Sequence, residues 1–372
     1  MTGSWWSCRR RLRAPCGSAS LRSRGMPDPV DLRSDTVTLP TPGMRRAMAR
    51  ARVGDSRRGE DPSVSELEEL SASLFAKEAA LFVPSGTMGN LVAVAAWTRP
   101  KDLILASCSS HIAGRELPGV SLLAAVSLIG IDTPGGVFTS TQAEEAIGRL
   151  PAPARPKVRL ICAENSHNAA GGTVFPLSYL RRIGAFCRKR SLRFHIDGSR
   201  IFNASVASGA GTGEYGKCCD SLMFCLSKGL GAPVGSVVVG PSDFIAEARG
   251  LSHKVGGGMR QAGIVAAGGL YALRHQVARL AKDHENARSL ARLLREIPGI
   301  EVVHAPVRTN IVLFRWETPT MPLQAFRDRL AALGVRLDDR GFPLFRAVTH
   351  LGIGKREIAR AARALREAFG RR

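Results

Sequence analysis

The chain has 372 residues, 44% of them hydrophobic, and a formal net charge of +22. Its length suits one large domain plus a smaller one, and its hydrophobic fraction supports a sizeable core, so disorder is not the default. No apolar run approaches the roughly 18 residues of a membrane span. The arginines are spread out, without the aromatic-interleaved stripe of a nucleic-acid surface, so they read as solvated faces.

Residues 1–25 carry Arg9, Arg10, Arg11, Arg13, Arg22 and Arg24 with several serines and no acidic residue. That is the composition of a mitochondrial transit peptide, and equally of an unstructured leader before a cytoplasmic enzyme. Met26 offers a second start. The folded part is expected as an N-terminal arm and large domain over 26–298, then a small domain over 299–372.

From Ala80 the text alternates between strand-like and helix-like segments. Ala80 to Pro84 reads as a strand, followed by a small-residue helix through Ala96. Leu103 to Ala106, Val120 to Ile129 and Val158 to Cys162 read as further strands. A helix near Leu177 to Arg190 precedes Leu192 to Ile196 and Ser221 to Leu226. Strand, crossover helix and strand in succession imply a mainly parallel sheet with helices on both faces, and sites in such sheets lie beyond the strand carboxyl ends. A long helical stretch is expected from Met259 to Leu294. Beyond Gly299, strands at Glu301 to Val303, Asn310 to Phe314 and near Phe345 alternate with helices at Leu323 to Leu333 and Lys355 to Phe369.

The strand ends carry the chemistry. Lys228 follows the run Ser221 to Leu226, and Asp197 closes the run that begins at Leu192. A lysine delivered from a buried strand can be desolvated and so serve as a Schiff-base amine, while a nearby aspartate can hold a pyridinium proton, the pairing that pyridoxal phosphate requires. Ser227-Lys228-Gly229 also reads as an ordinary solvated turn. Gly86 and Thr87 stand where a strand gives way to a helix, as a phosphate cradle or as a plain helix start. His111 follows the next strand, where an imidazole can stack on a flat cofactor and move protons, or sit as a satisfied loop histidine. Arg200, Arg346 and the segment Arg33-Ser34-Asp35-Thr36 offer carboxylate binders, although arginine is too abundant for charge alone to select them. The eight cysteines and eight histidines have no zinc spacing, so no metal site is expected, and the thiols read as buried and reduced.

Asp31 to Thr36, Gly59 to Pro62, Phe82 to Asn90, Glu164 to Asn168, His195 to Asn203, Cys225 to Ser236, Gly256 to Gln261 and Arg346 to His350 match, in order, segments of one enzyme family. From Asp31 to about Phe369 the chain resembles the L-threonine aldolases, pyridoxal-phosphate enzymes of the aspartate-aminotransferase fold (fold type I). The resemblance implies an α/β fold with a large, mainly parallel sheet domain and a smaller C-terminal α/β domain. It implies a lyase that cleaves the β-hydroxy amino acids L-threonine and L-allo-threonine to glycine and acetaldehyde. Lys228 would carry the cofactor, Asp197 would pair with its ring nitrogen, His111 would stack on the ring, and Gly86 and Thr87 would hold its phosphate. Ser34, Arg200 and Arg346 would bind the substrate carboxylate, Arg200 also bordering the cofactor. His167 would lie at the substrate, and Arg260 at the pocket or an interface. His111 is the leading candidate for the base. A homodimer or homotetramer with shared sites is implied, with neither nucleic acid nor membrane as partner.

Several positions depart from the family pattern. Arg58 and Arg115 replace aromatics, Ser199 replaces alanine, Leu39 replaces arginine, Ala154 stands near the place of a histidine, and His253 aligns with a lysine. Two alternatives therefore stand beside the aldolase: another enzyme of this fold, such as a β-eliminating lyase or an aminotransferase, and a catalytically weakened homologue. A basic protein binding nucleic acid or an anionic surface is the reading of a different class.

Overall fold

A computed structural model describes residues 28–370. The basic leader, Met26, Cys8 and Cys16 lie outside the described residues. The large sheet has seven strands in the order Ala79–Val83, Ser236–Gly240, Ser221–Cys225, Arg193–Asp197, Val158–Glu164, Leu103–Ser107 and Ser127–Ile131. Every neighbouring pair is parallel except the two made by Ser236–Gly240, which runs against both flanking strands. Six strands therefore end at one edge of the sheet. The central strands are apolar and buried along their length because helices cover both faces; all five residues of Ser221–Cys225 are buried.

The second sheet is antiparallel, in the order Asp338–Asp339, Leu344–Val348, Ile311–Trp316 and Ile300–Val303. Its core, built around Phe314, Phe326, Phe345 and Phe369, also takes in Val30 and Leu32 from the arm, and Leu290 and Leu294 from the helix Leu280–Arg295. Val30–Asp31 pairs in parallel with Val335–Arg336. This pairing carries the arm past the small sheet and delivers Ser34 and Asp35 to the cleft between the two sheets.

The helix Gly86–Trp97, the helix Leu177–Lys189 and the strands around them follow the sequence reading. Three segments differ. Val120 to Ile129 divides into the helix Leu117–Ala124 and the strand Ser127–Ile131, with Ala125 between them at φ 53. Its run of Val, Leu, Ala and Ile fits either period, and burial of Val120 and Ala124 beside Ile104 and Ile112 selects the helix. The expected long helix is two, Gly263–His275 and Leu280–Arg295. The antiparallel strand Ser236–Gly240 and the helix Ser242–Lys254 carry no assignment in the sequence reading.

Among the described residues no helix is long and apolar enough to cross a membrane. Five of the six described cysteines are buried, whereas Cys108 is exposed.

Candidate active site

The carboxyl edge of the large sheet faces the small sheet across a pocket of about 190 Å³. His111, Glu164, Ser199, Arg200 and Lys228 line it from the large sheet. Ser34 and Thr36 enter from the arm, and Arg340 and Arg346 from the small sheet. The sequence reading sets His111, Asp197 and Lys228 at strand ends, and in the sheet the strand ending at Glu164 lies between those of His111 and Asp197. Glu164 is built into the site: its Oε2 accepts from the His111 backbone N–H at 2.6 Å, and its Oε1 accepts from that of Asn168 at 2.8 Å.

Asp197 is buried at the end of its strand. Its Oδ1 accepts from the Ser199 backbone N–H at 3.0 Å and its Oδ2 from Asn90 Nδ2 at 3.0 Å. Burial works against its charge, but Lys228, His111 and Ser199 together hold the carboxyl below its ordinary range. Asn90 also donates from Nδ2 to Glu116 Oε2 at 2.8 Å. Carboxylate oxygens can only accept, so the two of them fix which way the amide faces. Asn90 Oδ1 therefore meets His195 Nε2 at 3.2 Å as an acceptor, and His195 Nδ1 is left to accept from Ser221 Oγ at 2.9 Å. Ser221 in turn accepts from Trp97 Nε1 at 2.8 Å. Burial lowers the His195 pKa to about 4, so this ring is neutral and the chain of bonds fixes its tautomer.

His111 Nδ1 lies 3.1 Å from Glu116 Oε1. Its pKa is raised, first by the hydrogen bond to Glu116, with Asp197 and Glu164 adding to the effect against partial burial. One oxygen or nitrogen each from His111, Glu116 and Asp197 falls within 4.8 Å of the others, a spacing that suits a cation. The Asn90 amide already donates to both carboxylates, and a cation there would displace it.

Ser85 caps the helix Gly86–Trp97, its side chain accepting from the Met88 backbone N–H at 3.2 Å, with Gly86 and the exposed Thr87 as the first helical residues. A Cβ added to Gly86 would lie 2.7 Å from Cys225 Sγ, so the backbone passes this point only as glycine. Cys225 accepts from Ser236 Oγ at 3.3 Å and faces Ser199 Oγ at 3.6 Å. Three features suit pyridoxal phosphate: a helix N-terminus for the phosphate, a buried ionised carboxylate for a ring N–H, and a lysine in the same pocket.

The carboxylate-binding side is more committed than the sequence reading has it. Arg200 donates from Nε to Asp35 Oδ2 at 2.8 Å and from Nη2 to Asp35 Oδ1 at 2.7 Å, so this edge is closed to a substrate. Only its Nη1, 3.5 Å from Asn168 Oδ1, is turned elsewhere. Asp35 is fully buried, and Arg200 and Lys228 hold its carboxyl far below the usual range despite burial. Arg346 keeps more capacity. Its Nη1 donates to Asn168 at 2.6 Å, its Nη2 donates to the Arg33 carbonyl at 3.0 Å and pairs with Asp338 at 2.8 Å, and its buried Nε has no partner. Burial, with Arg200 and Arg340 nearby, lowers the Arg346 pKa to about 10.

The structure does not bring every expected residue to the pocket. His167 is fully buried behind it, both ring nitrogens unpartnered and Nε2 4.0 Å from Glu164. Arg260 is exposed and paired with Asp55 at 3.0 Å, outside the pocket lining. Of the departures from the family pattern, Ser199 lines the pocket, whereas Arg58, Arg115 and Leu39 are exposed. The sequence reading passed over Asp35, Asn90, Glu116, Glu164 and Asn168 as site residues. All but Glu116 lie inside the ordered motifs, next to or between the residues it singled out.

The family model of the β-eliminating lyases matches residues 31–317. A probable low-specificity L-threonine aldolase of Arabidopsis thaliana is 45% identical over 76% of this chain and 81% of its own length. The low-specificity L-threonine aldolase of Escherichia coli is 38% identical over 90% of this chain and 97% of its own. A threonine aldolase structure from Leishmania major superposes with a TM-score of 0.77 at 19% identity, covering 92% of this chain and all of that one, a likeness of fold.

Proposed function

Because the chain belongs to the low-specificity L-threonine aldolases, within the β-eliminating lyase family, we propose that this pocket performs their reaction with the residue roles that follow. The protein is a pyridoxal-phosphate-dependent carbon–carbon lyase that cleaves L-threonine and L-allo-threonine to glycine and acetaldehyde. The observation that carries the assignment of roles is the convergence of His111, Lys228 and Arg346 on one pocket, with ionised Asp197 buried beside it.

Lys228 would hold the cofactor, which when bound would supply an electron sink for the pair released as the Cα–Cβ bond breaks. Asp197 would hold a proton on the ring nitrogen, and the helix N-terminus at Gly86 and Thr87 would hold the phosphate. The unpartnered Nε of Arg346 is the donor left for the substrate carboxylate, since its Nη2 is already held by Arg33 and Asp338, and Ser34 lies alongside. Arg200, clamped by Asp35, serves as a fixed wall and directs Nη1 inward. His111 removes the β-hydroxyl proton at Nε2 as the carbonyl of the departing aldehyde forms. A homodimer or homotetramer is part of the proposal and rests on the family resemblance.

The test is an absorption spectrum with added pyridoxal phosphate for the wild type and Lys228→Ala, followed by an aldehyde assay with both substrates. A visible band that needs Lys228, together with acetaldehyde and glycine, is expected. Pyruvate and ammonia in their place would reassign the reaction to β-elimination, and no band in the folded protein would remove the cofactor site.

A further inference from the structure

Glu116 is a buried carboxylate with two partners, the His111 imidazole on Oε1 and the Asn90 amide on Oε2. It reaches His111 because Ile112–Glu116 forms a single π-helical turn that directly follows His111. Such turns are rare and recur at functional sites. We propose that Glu116 is the positioning residue that sets the tautomer and the basicity of His111, and that Asn90 ties this pair to Asp197. The kinetic part of this proposal rests on His111 being the base.

The bond pattern fixes the sense of the effect. A Glu116 carboxylate whose two oxygens face His111 Nδ1 and the Asn90 amide can only accept, so His111 carries its proton on Nδ1 and presents Nε2 as the ring's acceptor. Asn90 has two amide hydrogens, and it gives one to Glu116 and one to Asp197. The carboxylate next to His111 and the carboxylate meant for the cofactor ring thus share one amide as donor, 26 residues from Glu116 and 107 from Asp197 in sequence. The other charged groups facing His111 are Asp197 at the end of Arg193–Asp197 and Glu164 at the end of Val158–Glu164, and Lys228, in the same pocket, acts on Asp197. Glu116 is the one that touches the ring.

Substitution by glutamine has a specific consequence. Asn90 still needs an acceptor, so the glutamine oxygen turns to Asn90 and its NH2 turns to His111 Nδ1. His111 must then accept at Nδ1 and carry its proton on Nε2, the opposite tautomer, and the loss of negative charge lowers its pKa.

The experiment is a pH titration of the full-length holoenzyme labelled with 15N-histidine, alongside the pH profile of kcat/KM, for the wild type, Glu116→Gln and Glu116→Asp. In Glu116→Gln the His111 titration is expected to fall by about 1 pH unit or more with Nε2 protonated. The acid limb of kcat/KM should move down with it, and kcat should fall as the base weakens. Glu116→Asp, which keeps the charge, should keep the Nδ1 proton and most of the raised titration point. An unchanged His111 tautomer and titration in Glu116→Gln would overturn the proposal, as would a Glu116→Asp variant behaving like Glu116→Gln. If the titration moves but the kinetic limb does not, the Glu116 assignment holds and His111 is retired as the base.

Discussion

Replacing Asp35 by asparagine isolates the most heavily buried charge pair in the site. The Asp35 side chain is 0% and that of Arg200 4% exposed, joined by two nearly parallel bonds. Asparagine keeps the shape and removes the charge, leaving Arg200 buried without its counter-ion. Breaking such a pair from one side costs about 3–5 kcal/mol, against a typical total stability of about 5–15 kcal/mol. The cost should lie toward the upper end, because Arg346 nearby already feels Arg200 as a repulsive neighbour. Urea unfolding followed by tryptophan fluorescence at fixed protein concentration would measure it. The sign with pH is also set. The Asp35 pKa is depressed by folding, so its contribution is present above the unfolded value of about 3.9 and is lost as pH falls toward the folded one. The gap between wild type and Asp35→Asn should therefore be full at pH 7 and narrow below about pH 4. The double variant Asp35→Leu with Arg200→Met removes both charges and should recover most of the stability while remaining impaired in activity. A loss under about 1 kcal/mol in Asp35→Asn at pH 7 would refute this reasoning, because it would mean that Arg200 finds water or another anion.

Arg346→Lys should weaken the hold on the substrate carboxylate, since an ammonium cannot keep the fork's bonds to Asn168, Arg33 and Asp338 while offering a further donor to the substrate; about 1.5–3 kcal/mol corresponds to a rise of roughly 10- to 150-fold in KM, with kcat less affected. An unchanged KM for L-threonine would place the carboxylate elsewhere. Gly136 sits at φ 72, and a Cβ there would approach the His167 ring to 2.2 Å. Gly136→Ala should cost about 2–5 kcal/mol from left-handed strain plus overpacking, read as a lowered thermal midpoint, and a wild-type midpoint would show that the loop and His167 move apart freely.

Much of the site was legible because strand ends are local features. An apolar run followed by a polar residue marks where a parallel strand gives out, and that placed Asp197, Lys228 and His111 on the functional edge before any pairing was known. Arg346 was selected by motif rather than by charge, and its free Nε gives that choice a geometric basis. His167 shows the limit of the same approach: it sits in the ordered motif Glu164 to Asn168, yet the backbone turns its ring into the interior behind Glu164.

Sequence alone determined the alternation of strands and helices, the identity of the strand-end groups and the two-sheet organisation, because each depends on periodicity within a few residues. Tertiary structure decided what those groups touch. Whether Val120 to Ala124 is helix or strand depended on the apolar face it meets, and Arg200 became a clamped wall because Asp35, 165 residues away, arrives on the arm. The same holds for Asn90, whose two amide hydrogens reach carboxylates on different elements. Composition and spacing cannot encode such meetings, since a buried hydrogen bond is fixed by the folding of distant segments onto one another and by the cost of leaving either partner unsatisfied.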